Sequence, residues 1–167
     1  AWGLLPWPEE EAEKAAAAML AAWLRRRPGG AGSGERAAHL ERVRLFLVQH
    51  GASRFTVLTQ NADGAWVEAH PDRPVVNRAG WRRLRANEGR DEYLIAPEVW
   101  RAEVCAPAGL DPTATARTLA EAGFLRREMP DRLAVKERVP GLVNPARFYA
   151  VSAALLEAPE APKAEGA

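Results

Sequence analysis

The stretch from Ala96 to Val151 constrains the fold most, because residue type alone specifies its helix starts, stops and turns. Pro97 stands in the first turn of a helix, where proline is tolerated. It opens the run Pro97-Glu98-Val99-Trp100-Arg101-Ala102-Glu103-Val104-Cys105. Val99, Trp100, Val104 and Cys105 fall on one helical face by their i, i+4 and i+5 spacing. Pro107 and Gly109 then break that helix. Asp111 can cap the free N–H groups of a second helix whose first position is Pro112. Ala116, Leu119 and Ala120 form the inward face of this helix. It stops at Gly123, the residue that most readily adopts a left-handed C-terminal conformation. Phe124-Leu125 follows, then a charged turn around Pro130-Asp131. Two strand-like runs, Leu133–Val135 and Phe148–Val151, complete the pattern. The ordered set predicts a winged helix-turn-helix. Residues 97–105 and 112–122 should be helical, with a hairpin within 124–151, and Trp100, Leu119, Phe124 and Tyr149 should be buried. Two amphipathic helices and a hairpin also suffice for a plain α+β core, and a winged helix need not touch DNA.

The upstream sequence supplies further elements. Trp2 to Pro8 is an extended aromatic lead. Glu9-Glu10-Glu11 follows at the positive end of a helix that runs to about Arg27, with Met19, Leu20, Trp23 and Leu24 as its apolar stripe and Arg25-Arg26-Arg27 in its last turn. Pro28 to Gly34 reads as a flexible linker. Gly29 and Gly34 have the spacing of a phosphate-binding loop, but Glu35-Arg36 stands where that loop requires Lys and then Ser or Thr, so no nucleotide site is expected. Glu35 to His50 predicts a second helix, with Leu40, Val43, Phe46 and Leu47 inward and Gly51 ending it. Strand-like runs at Ser53–Thr59 and Ala65–Val67 flank the turn Asn61-Ala62-Asp63-Gly64. Val75 to Leu84 reads as extended, and Glu92–Ile95 as its partner strand. The fold class is therefore α+β: a winged helix-turn-helix-like domain preceded by two helices and a small β-hairpin region. The expected organisation is 1–34 as N-terminal helix and Gly-rich linker, 35–156 as the winged-helix-like domain, and 157–167 as a disordered tail.

Charge separates the function classes. The 167 residues carry a net charge of +1, so the chain is not globally basic. Between Arg73 and Arg90, however, there are six arginines and a single acid, Glu88. One cysteine, Cys105, excludes an internal disulfide and fits a reduced, cytoplasmic setting. No run of 18 apolar residues occurs, so no membrane span or membrane partner is expected. His39, His50 and His70 are far apart, and no CxxC, HExxH, EF-hand or G-x-S-x-G pattern appears, so neither a metal nor a cofactor is expected. The chain reads as non-catalytic.

The candidate contacts are with nucleic acid. On the second helix of the pair, Thr113, Arg117 and Thr118 face outward, and Arg and hydroxyl groups there can meet phosphates or base edges. Arg126, Arg127, Lys136 and Arg138 flank the hairpin and could hold phosphate. Glu121, Glu128 and Glu137 weaken that field. In the extended stretch before Glu92, alternation puts Trp81, Arg83 and Arg85 on one face and Arg78, Gly80 and Arg82 on the other, with Arg78 and Arg82 the more exposed pair. A bulge near Ala79-Gly80 would shift that phase. These arginines either track phosphate or simply pair with Glu88, Asp91 and Glu92.

Several phrases belong together: Gly3–Pro8 (GLLPWP), Val43–Phe55 (VRLFLVQHGASRF), Val75–Arg83 (VVNRAGWRR), Glu92–Cys105 (EYLIAPEVWRAEVC), Leu110–Leu125 (LDPTATARTLAEAGFL) and Lys136–Leu156 (KERVPGLVNPARFYAVSAALL). In this order they resemble the C-terminal end of helicase-like ATPases grouped as the domain of unknown function 927 family. Those proteins occur on phages, plasmids and integrative elements, often beside a primase module. The resemblance implies a DNA-binding accessory domain of a mobile-element replicative helicase. Its partners would be single-stranded or duplex DNA, bound with weak specificity, and an upstream ATPase domain or primase. The nucleotide-binding motifs of that family are not in this stretch, so the resemblance implies no ATPase activity here and transfers no individual DNA contact. The competing expectation, favoured by near-neutral charge, is a protein-interaction module that docks on the ATPase ring or primase without binding DNA. A free-standing transcriptional regulator is a third possibility, disfavoured by the helix and Trp-rich segment that lead into the domain.

Overall fold

The computed structural model describes residues 14–19, 33–84 and 91–157. The chain divides into two units, Ala1–Ala37 with Pro162–Ala167, and Ala38–Ala161. In the first unit residues 14–19 are helical. The rest of the helix expected to reach Arg27, the linker up to residue 32, the stretch 85–90 with Arg85 and Glu88, and residues 158–167 of the expected tail lie outside the described residues.

Helix α1 (Ser33–His50) buries Val43, Phe46 and Leu47, with Leu40 packed beside them, as its spacing predicts. Its end differs in kind from the expected left-handed cap. Gly51 is not among the residues with positive φ. Its N–H donates to the Leu47 carbonyl at 2.7 Å. A Cβ there would stand 2.5 Å from that oxygen and 3.1 Å from the Tyr93 hydroxyl. This position needs the absence of a side chain rather than a left-handed backbone.

Seven strands make one sheet: β1 (Phe55–Gln60), β2 (Trp66–Glu68), β3 (Gly80–Arg83), β4 (Glu92–Ile95), β5 (Leu125–Arg126), β6 (Val135–Glu137) and β7 (Ala146–Ser152). Their order is β2-β1-β3-β4-β7-β5, and β6 also pairs with β7. All pairings are antiparallel except β1 with β3. The exception arises because the chain leaves β1 through a hairpin to the outer strand β2 and crosses back to β3. The hairpin uses the expected turn: Asn61 Oδ1 accepts from the Asp63 and Ala65 N–H groups at 3.1 and 2.8 Å, and Gly64 has φ 78°.

The stretch 75–84 is not extended throughout. Only Gly80–Arg83 forms a strand. Asn77 adopts the left-handed region at φ 52° and bends the chain before it, a conformation asparagine tolerates better than most residues. Gly80 is required by close approach, since a Cβ there would stand 1.9 Å from the Leu94 carbonyl oxygen.

Helix α2 (Pro97–Val99) runs without a break into a wider π-helical turn over Trp100–Cys105 and a tight 3-10 turn over Ala106–Ala108. The run ends at Gly109, φ 64°. Helix α3 (Pro112–Glu121) follows, and Gly123, φ 81°, turns the chain into β5 as expected. A short helix α4 (Ala154–Glu157) closes the described body.

The sheet has two dissimilar faces. Side chains of the helices pack on one, where Phe46, Phe55, Ile95, Trp100, Leu119 and Val151 share a core. Leu58, Trp81, Leu94 and Ala150 project to the other face and are covered by Val135, Val139 and Phe148. Of the four expected core residues, Trp100 and Leu119 are fully buried, while Phe124 and Tyr149 are partly buried against the first core. The expected strand Leu133–Val135 is shifted: β6 starts at Val135 and runs to Glu137. Within β6 the Lys136 backbone N–H donates to the Glu128 carboxylate at 3.1 Å.

Candidate nucleic-acid interface

Helix α3 is held from beneath by short-range chemistry that its sequence specifies. Asp111 Oδ1 accepts from the Ala114 N–H at 2.6 Å, the expected N-cap. Trp100 Nε1 donates to the Pro112 carbonyl at 3.0 Å, and its ring stacks on Tyr149 at 4.6 Å. Thr115 Oγ1 donates to the Asp111 carbonyl at 2.8 Å. That hydroxyl hydrogen is thereby committed, so His39 Nδ1, 2.7 Å from Thr115 Oγ1, is the donor in their bond. This bond ties α1 to α3. Arg42 of α1 donates to the Val104 and Glu103 carbonyls, both at 2.7 Å, and closes the end of the α2 run.

With Ala116, Leu119 and Ala120 buried, α3 turns Thr113 and Arg117 to solvent, and Thr118 is half-buried at the margin. Thr113 and Arg117 face outward as expected, whereas Thr118 is only partly exposed. Glu121 is exposed one helical turn beyond Arg117.

The remaining candidates separate. Arg127 and Lys136 are exposed; Arg127 Nη1 donates to the Pro130 carbonyl at 3.2 Å within the turn. Arg126 is bound within the protein. Its Nε lies 2.7 Å from Glu92 Oε1, and its Nη2 lies 2.6 Å from Glu137 Oε1. Arg83 completes the cluster at 2.9 Å from Glu137 and 3.8 Å from Glu92. Burial works against the Arg126 charge, but Glu92 and Glu137 outweigh it and hold the guanidinium more firmly protonated than usual. The reason is alternation: Leu125 enters the helix-side core, so Arg126 must point to the opposite face, where both carboxylates wait.

Arg78 and Arg82 do not share a face. Arg82 packs over the Tyr93 ring and pairs with Asp91 at 2.7 Å. Arg78 is exposed and lies over Trp81, 5.1 Å from its ring centroid. The bend at Asn77 broke the alternation on which their pairing depended. Neither the Arg82–Asp91 pair nor the Arg83–Glu92 pair is free to track phosphate. Arg138 is exposed, but it lines a groove beside β2 rather than the surface of α3.

One cation escaped the sequence reading. Arg147 of β7 stands directly opposite Lys136 of β6, and both are exposed. Neither meets a carboxylate side chain among the described residues. Along β7, Phe148 and Ala150 face the second core, while Tyr149 and Val151 face the helices. Arg147 therefore shares the side of Tyr149, and Lys136 shares it by register. The alternation in Arg147-Phe148-Tyr149-Ala150-Val151 was the available signal.

Compared with known proteins, the chain matches no family model, no curated protein and no solved structure. The site therefore rests on its geometry. Among the described residues, no group of three His, Cys, Asp or Glu side chains is placed to hold a metal ion. No helix among them is long and apolar enough to cross a membrane. Cys105 is buried, and burial raises its thiol above the ordinary range.

Proposed function

We propose that this chain is a non-catalytic, winged-helix DNA-binding domain, an accessory part of a cytoplasmic replicative helicase-type ATPase from a mobile genetic element. The winged-helix reading is supported by the order β4-β7-β5. The α2 run and α3 connect β4 to β5, and the β6–β7 hairpin follows. The observation that carries the DNA reading is one of placement. Thr113 and Arg117 rise from α3, and Lys136 and Arg147 from the hairpin, on the side of the sheet that carries the helices. Such a surface grips phosphate through cations and gives little base discrimination. The resemblance to the domain of unknown function 927 family supports the assignment to a helicase-like parent and to a setting beside an ATPase domain or primase.

Anisotropy of labelled single-stranded, duplex and forked DNA at two salt concentrations tests the reading. Lys136→Ala with Arg147→Ala should flatten the duplex slope of log affinity against log salt by about 1.8, or by about 1.4 on single strands, if both touch phosphate. Binding that ignores salt, or an unchanged slope in the folded double variant, overturns the assignment.

A further inference from the structure

The side of the sheet away from the helices carries an open groove of about 700 Å³, within the range of ligand-binding clefts. Residues 65–68 form one wall and residues 138–142 the other. Trp66, Val139 and Leu142 make it apolar, and Leu142 and the neighbouring Val143 remain 38% and 92% exposed.

Among the described residues, the outer side of β2 along this groove has no backbone partner. Asn61 N–H donates to the Ala65 carbonyl at 3.0 Å, and Ala69 N–H donates to the Val57 carbonyl at 2.9 Å. Bonded and non-bonded pairs alternate along an antiparallel ladder. In the β1–β2 register, Val67 therefore turns its N–H and C=O toward β1, and Trp66 and Glu68 turn theirs away. Among the described residues no strand lies on that side, where β2 is the edge of the sheet. An open edge of this kind is a template for another extended chain.

Two cations lie beside it. Arg138 lines the groove. Arg78 Nη1 comes within 3.7 Å of where a Cβ on Gly141 would stand. Neither meets a carboxylate side chain among the described residues, and Glu68 is the one acid lining the wall.

We infer that this groove docks an extended peptide segment of a partner protein, which adds to β2 as a strand, seats an apolar side chain against Trp66 and presents a carboxylate to Arg138 and Arg78. A stacked nucleobase fits less well, because the Trp66 ring is half-buried and already carries the Arg83 guanidinium 4.9 Å from its centroid. A second copy of the chain, pairing β2 with β2, would bring a second Arg138 and Arg78 against the first. The docking surface lies on the opposite face from Thr113 and Arg117, so it stands whether or not the chain binds DNA.

The test is selection of peptides from a random display library on the full chain, followed by binding of the synthetic winners. The expected winners alternate apolar and acidic residues and shift the amide resonances of 65–69 and 138–142. Methylating their alternate backbone nitrogens should weaken binding at least about tenfold, because strand addition depends on main-chain hydrogen bonds. Glu68→Pro removes a donor on the open side while sparing the β1 ladder, and should weaken binding similarly. Arg138→Glu, an exposed change that leaves the backbone intact, provides the second variant if Glu68→Pro does not fold. The inference is overturned if no peptide is selected, if the winners shift resonances elsewhere, if a labelled oligonucleotide occupies the groove, or if the free chain dimerises through β2.

Discussion

Arg83→Met probes the cluster that locks the hairpin to the sheet. Arg83 has only 4% of its side chain exposed, and Glu92 has 8%. Arg83 holds Glu137 at 2.9 Å and Glu92 at 3.8 Å. Removing one partner from a buried pair costs about 3–5 kcal/mol, because a charge is left uncompensated. Here Glu137 is 20% exposed and Arg126 still serves both carboxylates, which places the expected cost near the lower end, about 3 kcal/mol. Glu137→Gln alone leaves Arg83 with the more distant Glu92 and should cost about 2 kcal/mol after allowance for its exposure. The double variant restores charge balance, because Arg126 keeps Glu92 through bonds of 2.7 and 3.1 Å. It should cost about 2–3 kcal/mol rather than the roughly 5 kcal/mol of simple addition. Urea titrations followed by tryptophan fluorescence at neutral pH give all the values by linear extrapolation. If the two single effects add in the double variant, or if Arg83→Met costs less than about 1 kcal/mol, the cluster does not act as a coupled unit.

Leu119→Ala should destabilise by about 2–5 kcal/mol, because Leu119 is fully buried between α3 and the sheet. A loss below about 0.5 kcal/mol in the same titration would contradict that placement. Acid should act through Glu137: burial penalises its charge, but hydrogen bonds from Arg83 and Arg126 outweigh that and hold its carboxyl below the ordinary range. A depressed folded pKa contributes stability that is fully present above the ordinary glutamate value, about 4.3, and is lost as pH falls through the folded value. Thermal midpoints should therefore fall faster below about pH 4.3 for the wild type than for Glu137→Gln. Parallel curves would refute the assignment.

The legible parts of this fold are those written in adjacent residues. Pro97, Asp111-Pro112 and Gly123 mark helix boundaries through local backbone chemistry, and the structure keeps all three. Asn61 and Gly64 mark the β1–β2 turn for the same reason. What was not legible depends on partners distant in sequence. Gly51 looks like any helix stop until the Leu47 carbonyl and, from far along the chain, the Tyr93 hydroxyl close over it. Arg126 looks like a solvent-facing cation until β4 and β6 deliver Glu92 and Glu137 to it. The pairing of Arg78 with Arg82 required an unbroken strand, and one left-handed asparagine removed it. Arg147 was hidden differently: its role depends on the β6–β7 register, which places it against Lys136.

That register allows stability and binding to be separated at one position. Like charges directly opposite on neighbouring strands are destabilising, and opposite charges contribute roughly 0.2–1 kcal/mol. The chain retains Lys136 opposite Arg147 with no carboxylate side chain to relieve them among the described residues. Arg147→Glu turns this repulsion into an attraction across an exposed pair. Urea unfolding should show stability unchanged or raised by up to about 1 kcal/mol. On the proposed function the same change removes a phosphate contact and adds a repulsive charge, so affinity for labelled duplex DNA should fall and the salt slope should flatten by at least about 0.9. A purely structural hairpin predicts a gain in stability with no change in DNA binding. A site that needs Arg147 for folding predicts that both fall. Only the proposed interface predicts that stability holds while DNA binding is lost.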